Sequence, residues 1–157
     1  MRVDREHQLY EEIARYMQRE HPKVVYRFDI AADLKLTKGQ AVKFKRLHPN
    51  RGYPDLFIAY PVFKVPTKKE NQKAYDEYGY DVGMAQIIVE HLYAGLYLEL
   101  KAEGNSPFKK DGSLKKDKHL EEQQAMLEWL RKCRYKAEFA TGFEEAKRII
   151  EDYLKCF

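Results

Sequence analysis

Asp55, Glu99 and Lys101 are the residues of this sequence whose types and spacing suit catalysis. Asp55 directly precedes Leu56-Phe57-Ile58, a run apolar on both faces, as in a central strand covered on two sides. Glu99 and Lys101 lie two apart at the end of Gly95-Leu96-Tyr97-Leu98-Glu99-Leu100-Lys101. Strand alternation therefore sends both off one face while Leu96, Leu98 and Leu100 fill the other. If the two strands are neighbours, two carboxylates and an ammonium converge. Asp55, Glu99 and the backbone carbonyl of Leu100 are the all-oxygen ligands that Mg²⁺ or Mn²⁺ prefers. A lysine beside them would orient a water and offset charge on a phosphate, so the set suits metal-assisted phosphodiester hydrolysis. A single Glu-x-Lys at a strand end is more often a solvated ion pair, and spacing alone does not separate the two readings.

The elements that must position these residues are legible as periodic segments. Val3 to Arg19 repeats Leu9, Ile13, Tyr16 and Met17 at helical spacing, and Pro22 ends it. Val24 to Ile30 alternates like a strand, with Asp29 leaving the polar face as a solvated or supporting acid. Thr37 caps a helix over Lys38 to Leu47, with Ala41, Phe44 and Leu47 expected inward. Residues 61–94 read as an insertion of uncertain structure, and residues 104–118 as a mobile basic loop. Leu120 to Lys132 forms a helix whose inward stripe contains Gln123, Met126, Leu127 and Leu130. An amide on that stripe needs a partner, which an active-site water or a phosphate oxygen would supply; Gln124 is its neighbour and alternative. Lys136 to Ala140 supplies a last strand, Thr141-Gly142 a turn, and Phe143 to Leu154 an amphipathic helix with Ala146, Ile149, Ile150 and Tyr153 inward.

Charge is distributed unevenly. Residues 35–51 carry Lys35, Lys38, Lys43, Lys45, Arg46 and Arg51 without one acid, although the whole chain is only +4. That basic surface, with Lys115 and Lys116 in the later loop, is expected to hold phosphates of DNA. A length of 157 residues and 44 % hydrophobic content suit one domain, residues 1–157, with a single core. No apolar run approaches a membrane span and no signal peptide opens the chain, so an intracellular, cytoplasmic protein without membrane partners is expected. Cys133 and Cys156 form no Cys-x-x-Cys pair and read as free thiols. No glycine-rich phosphate loop points to a nucleotide cofactor.

Taken in order, Gly52-Tyr53-Pro54-Asp55, Glu99-Leu100-Lys101, the glutamine-bearing helix and the ending Tyr135-Lys136-Ala137-Glu138-Phe139-Ala140-Thr141-Gly142-Phe143 are similar to the PD-(D/E)XK nuclease pattern. The chain resembles the virus-type replication-repair (VRR-NUC) branch, in its stand-alone phage form, over nearly its whole length except residues 61–94. The resemblance implies an α/β fold with a mixed sheet flanked by helices, in the order α-β-(α)-β-β-α-β-α. It implies a Mg²⁺- or Mn²⁺-dependent endonuclease with Asp55, Glu99, Lys101 and Gln123 in catalytic positions. A helix-borne glutamate would complete the metal site, with Glu6 fitting the pattern better than Glu12. It also implies branched or junction DNA as substrate and a homodimer, since symmetric cuts call for two sites. An RNA substrate and a non-cleaving DNA-binding module on the same fold stand as alternatives. Two departures are the long spacer and Ala31-Ala32-Asp33, where the family often has an Asn-rich turn.

Overall fold

A computed structural model describes residues 5–29, 37–47, 50–64, 69, 72, 73, 76, 77 and 90–155. Its elements are α1 (Arg5–Glu20), β1 (Tyr26–Phe28), α2 (Lys38–Leu47), β2 (Leu56–Ile58), β3 (Val62–Lys64), β4 (Glu90–Tyr93), β5 (Leu96–Lys101), α3 (Lys118–Lys132), β6 (Lys136–Thr141) and α4 (Gly142–Leu154). Four strands form one sheet in the order β1-β2-β5-β6. The β1–β2 and β2–β5 pairs are antiparallel and β5–β6 is parallel, so the sheet is mixed, as expected. The parallel step is the one that needs a crossover, and α3 supplies it.

β5 is the middle of this arrangement because its alternation serves two different faces. Leu96, Leu98 and Leu100 join Leu56 and Ile58 of β2 against Leu9, Ile13 and Met17 of α1 and Ala146, Ile149 and Ile150 of α4. All five strand residues are fully or almost fully buried, each contributing roughly 1.5–3 kcal/mol by leaving water. The other face puts Tyr97, Ala137 and Phe139 under Leu127 and Leu130 of α3. α3 begins where Asp117 accepts hydrogen bonds from the His119 and Leu120 amides, at 2.9 and 3.0 Å. Helix α2 begins with a reciprocal cap, the Thr37 amide donating to Gln40 Oε1 and the Gln40 amide to Thr37 Oγ1.

Several expectations need correction. α2 contains no buried residue: Ala41 and Phe44 are half-buried and Leu47 is 68 % exposed. The reason is that α2 borders cavities, not the sheet core, with Phe44 and Leu47 lining two of them. The two ends of 61–94 form a separate antiparallel ribbon, β3–β4. The basic segment 104–118 contains a hydrogen-bonded hairpin, in which Phe108 bridges to Leu114 and packs edge-on against Phe139 at 5.6 Å. Apolar side chains anchor it, so its lysines project from a built turn. Cys133 is a free, exposed thiol, and Cys156 lies outside the described residues. Among the described residues no helix is long and apolar enough to cross a membrane.

Candidate active site and metal centre

The register of β2 against β5 brings the acids together. Leu56 pairs with Leu98 and Phe57 with Tyr97, so one step further Asp55 meets Glu99 on the α3 side of the sheet. Asp55 is held from three directions. The Leu100 amide donates to its Oδ2 at 2.7 Å, the Tyr10 hydroxyl from α1 hydrogen-bonds it, and its own carbonyl accepts from the Asp29 amide at 2.8 Å. Glu99 is 1 % exposed, and its Oε1 accepts from Lys101 Nζ at 2.8 Å and from Gln123 Nε2. Gln123 Nε2 also lies 3.1 Å from His119 Nε2. An amide nitrogen carries two hydrogens, so it serves Glu99 and His119 together when the imidazole keeps its proton on Nδ1.

The carboxyls are crowded, Glu99 buried and Asp55 half-buried beside it. Burial, and next the charge of Asp55, push Glu99 up to about 8 despite Lys101. Asp55 is raised as well, chiefly by burial and least by Glu6; the Leu100 amide, Tyr10 and Lys101 pull the other way. Two oxygens, Glu99 Oε2 and Gln123 Oε1, are buried with no hydrogen-bond partner. Each such orphan costs about 1–3 kcal/mol, so the cluster is arranged for a proton or a cation to complete it. A closed cage is absent, since among the described residues no group of three or more His, Cys, Asp or Glu is gathered to hold a metal. Two adjacent carboxylates, with one carboxylate oxygen and one amide oxygen unsatisfied, fit a hard divalent cation that keeps part of its water shell, and do not fit a zinc cage.

Asp55 opens into a cavity of about 510 Å³ bounded also by Gln123 and His119, with Lys45, Arg51 and Phe44 on its walls, while Glu99 lies buried behind it. Gly52 explains how the loop before Asp55 is seated. Its φ is +70°, and a Cβ there would stand 2.8 Å from the Gln123 amide nitrogen and from the Glu122 carbonyl. The loop thus lies directly on the backbone of α3, which fixes Asp55 relative to Gln123. Arg51 adds an exposed ion pair to Glu122 at 3.8 Å.

The structure therefore brings Asp55, Glu99, Lys101 and Gln123 into one cluster. Gln124 turns away to Glu128, and Glu12 lines a different cavity with Arg5 and Glu103. Glu6 stands near enough to act on the charge of Asp55. Of the expected DNA-binding residues, Lys45 and Arg51 line the cavity, while Lys38, Lys43, Arg46, Lys115 and Lys116 are exposed outside its lining. Lys35 lies outside the described residues. Sequence reasoning missed Tyr10 and His119. Tyr10 sits one helical turn after Glu6, and His119 one turn before Gln123, so in each case helical spacing from a named residue was the available signal.

This arrangement defines an acid–lysine–glutamine cluster on the two central strands of a mixed α/β sheet. No family profile and no curated protein matches the sequence. Among solved structures the chain is similar to a "VRR_NUC domain protein", with a TM-score of 0.58 and 20 % identity over 99 % of this chain and 93 % of that one. The fold is thus shared with a VRR_NUC domain protein along nearly the whole length, as the resemblance of the motifs implies.

Proposed function

We propose that this chain is a Mg²⁺- or Mn²⁺-dependent endonuclease acting on DNA phosphodiester bonds, selective for branched or junction structures and working as a homodimer. The observation that carries the reading is the pairing of half-buried Asp55 with buried Glu99, with Lys101 and Gln123 against Glu99 and two oxygens left without partners. A purely structural ion pair would need Lys101 and Glu99 but neither the orphan oxygens nor a second carboxylate pressed against the first. A divalent cation bound there would polarise the phosphate and lower the pKa of a water. Asp55 and Glu99 would hold it, with the Leu100 carbonyl and Glu6 as further oxygen donors.

The chain's own groups have separable tasks. Tyr10 and the Leu100 amide keep the Asp55 carboxylate in place on the cavity lining. Gln123 fixes Glu99 through its amide nitrogen, leaving its Oε1 to accept a hydrogen from the attacking water. Lys101 would position that water and offset negative charge developing on the phosphate. Lys45 and Arg51 supply phosphate-binding charge on the walls of the same cavity.

The test is incubation of purified protein with linear, flapped and four-way DNA, with Mg²⁺, with Mn²⁺ and with EDTA. Cleavage of branched DNA with either cation and none in EDTA is expected. Cleavage in EDTA overturns the metal dependence, and intact DNA under every condition with binding retained leaves a non-cleaving DNA-binding module. RNA cut in preference to DNA overturns the substrate. Light scattering showing only monomer at micromolar concentration, with and without DNA, overturns the dimer.

A further inference from the structure

We propose that the sheet face beside the carboxylates is a stacking shelf for one unpaired nucleobase, that of the nucleotide adjoining the phosphate to be cut. The inference rests on the nuclease reading for its orientation, and it is tested without cleavage. Its basis is a cross-strand row: Arg27 of β1 pairs with Phe57 of β2, which pairs with Tyr97 of β5. That row lies two residues along each strand from Asp55 and Glu99, roughly 7 Å away, and points to the same side of the sheet. One nucleotide spans such a step.

Tyr97 is 6 % exposed beneath α3 and backs the row, while the half-buried Phe57 and the neighbouring Tyr53 offer the apolar surface. Phe57 stacks on Tyr97 with centroids 4.5 Å apart and planes at 23°. Tyr53 meets Tyr97 edge-on at 5.6 Å, and their hydroxyls hydrogen-bond at 2.7 Å, which fixes Tyr53 although it is 43 % exposed. A cavity of about 350 Å³ opens over these rings, with Arg27 and Asn50 also at its wall. It shares Asp29, Asn50 and Tyr53 with the larger cavity that contains Asp55 and Gln123. The two spaces therefore adjoin at Tyr53.

Aromatic faces accept the π-face of any base, and an arginine beside them suits a phosphate or a base edge. The flanking phosphates would meet Lys45 and Arg51 in the adjoining cavity, so charge as well as shape is complementary. A base inside an intact duplex is stacked on its neighbours and cannot lie on this shelf. A base at a flap, junction or frayed end can, which gives a physical source for preference among DNA structures.

The experiment uses the full chain in EDTA, with 2-aminopurine as the probe base. The probe stands at the unpaired position next to the branch of a flapped DNA, and at the same position of a blunt duplex. Binding should change the probe's fluorescence in the flapped DNA and leave the duplex signal unaltered. Tyr53→Ala and Arg27→Ala should each weaken binding of flapped DNA by about tenfold while leaving duplex affinity unchanged. Arg27 is exposed on β1, so Arg27→Ala decides the matter if Tyr53→Ala fails to fold. Equal losses on both DNAs, or an unaltered probe signal in the wild-type complex, overturn the shelf. Cation-dependent cleavage with a silent probe sinks the shelf alone, whereas a responsive probe without cleavage sinks the nuclease reading alone.

Discussion

Along β5, Leu96, Leu98 and Leu100 leave the strand toward α1 and α4, while Tyr97, Glu99 and Lys101 leave it toward α3. The first set meets only apolar neighbours and is sealed. The second contains a carboxyl pushed up to about 8, a lysine only 14 % exposed and two oxygens without partners. One face lowers the free energy of the fold, and the other is held in an arrangement that packing alone does not favour. The proposed function rests on that difference, because unsatisfied buried polar groups are places a ligand can complete.

Substitutions should separate the two faces. Asp55→Ala or Glu99→Ala should abolish cleavage of branched DNA with DNA affinity nearly intact, since each removes a proposed metal ligand and leaves the basic surface alone. Lys101→Ala should retain cation binding and lose on the order of 10³ in rate, the scale of one transition-state donor. Wild-type turnover in any of the three would return the cluster to a structural ion pair. On the opposite face, Leu98→Ala should cost about 2–5 kcal/mol in urea denaturation, with cation affinity unaltered in the folded protein. A loss below about 1 kcal/mol would mean that this face is not the sealed one.

The pH dependence sharpens the contrast. Glu99 has a folded pKa raised to about 8 from 4.5, so its folded form favours the proton. The stability this group contributes is fully present below about 4.5 and is lost as pH rises through 8. Glu99→Gln removes the ionisation. Without divalent cations it should therefore stabilise the protein at pH 8 by at least about 1 kcal/mol, roughly 2–4 °C in Tm, and by much less at pH 4.5. An equal effect at both values would contradict the buried, crowded carboxyl. The smallest expected effect is electrostatic. Neutralising Lys43, Lys45 and Arg46 together should flatten the slope of log affinity against log salt by roughly 2 to 3 units if all three touch phosphate. A folded triple variant with the wild-type slope would move the DNA toward Lys115 and Lys116.

What the sequence reveals follows the same division. Alternation in Leu96–Lys101 and helical stripes in α1, α3 and α4 are local patterns, so the sealed face and the separation of Glu99 from Leu98 and Leu100 are legible residue by residue. The meeting of Asp55 with Glu99 depends on register between strands separated by a long spacer, which no local pattern specifies. Helix α2 has an amphipathic pattern yet faces cavities, because periodicity reports an apolar stripe and not what the stripe meets. Tyr10, His119 and the seating of Gly52 on α3 acquire meaning only through contacts between elements distant in sequence.

Calorimetric titration of Mn²⁺ into the wild-type protein, Asp55→Ala and Glu99→Gln, without nucleic acid at neutral pH, bears most directly on the carboxylate cluster. Saturable binding to the wild type should be lost or strongly weakened in both variants, with protons released as Glu99 yields its own to the cation. A wild-type protein that takes up no Mn²⁺, or variants that bind it as well as the wild type, would contradict the assignment of Asp55 and Glu99 as a metal centre.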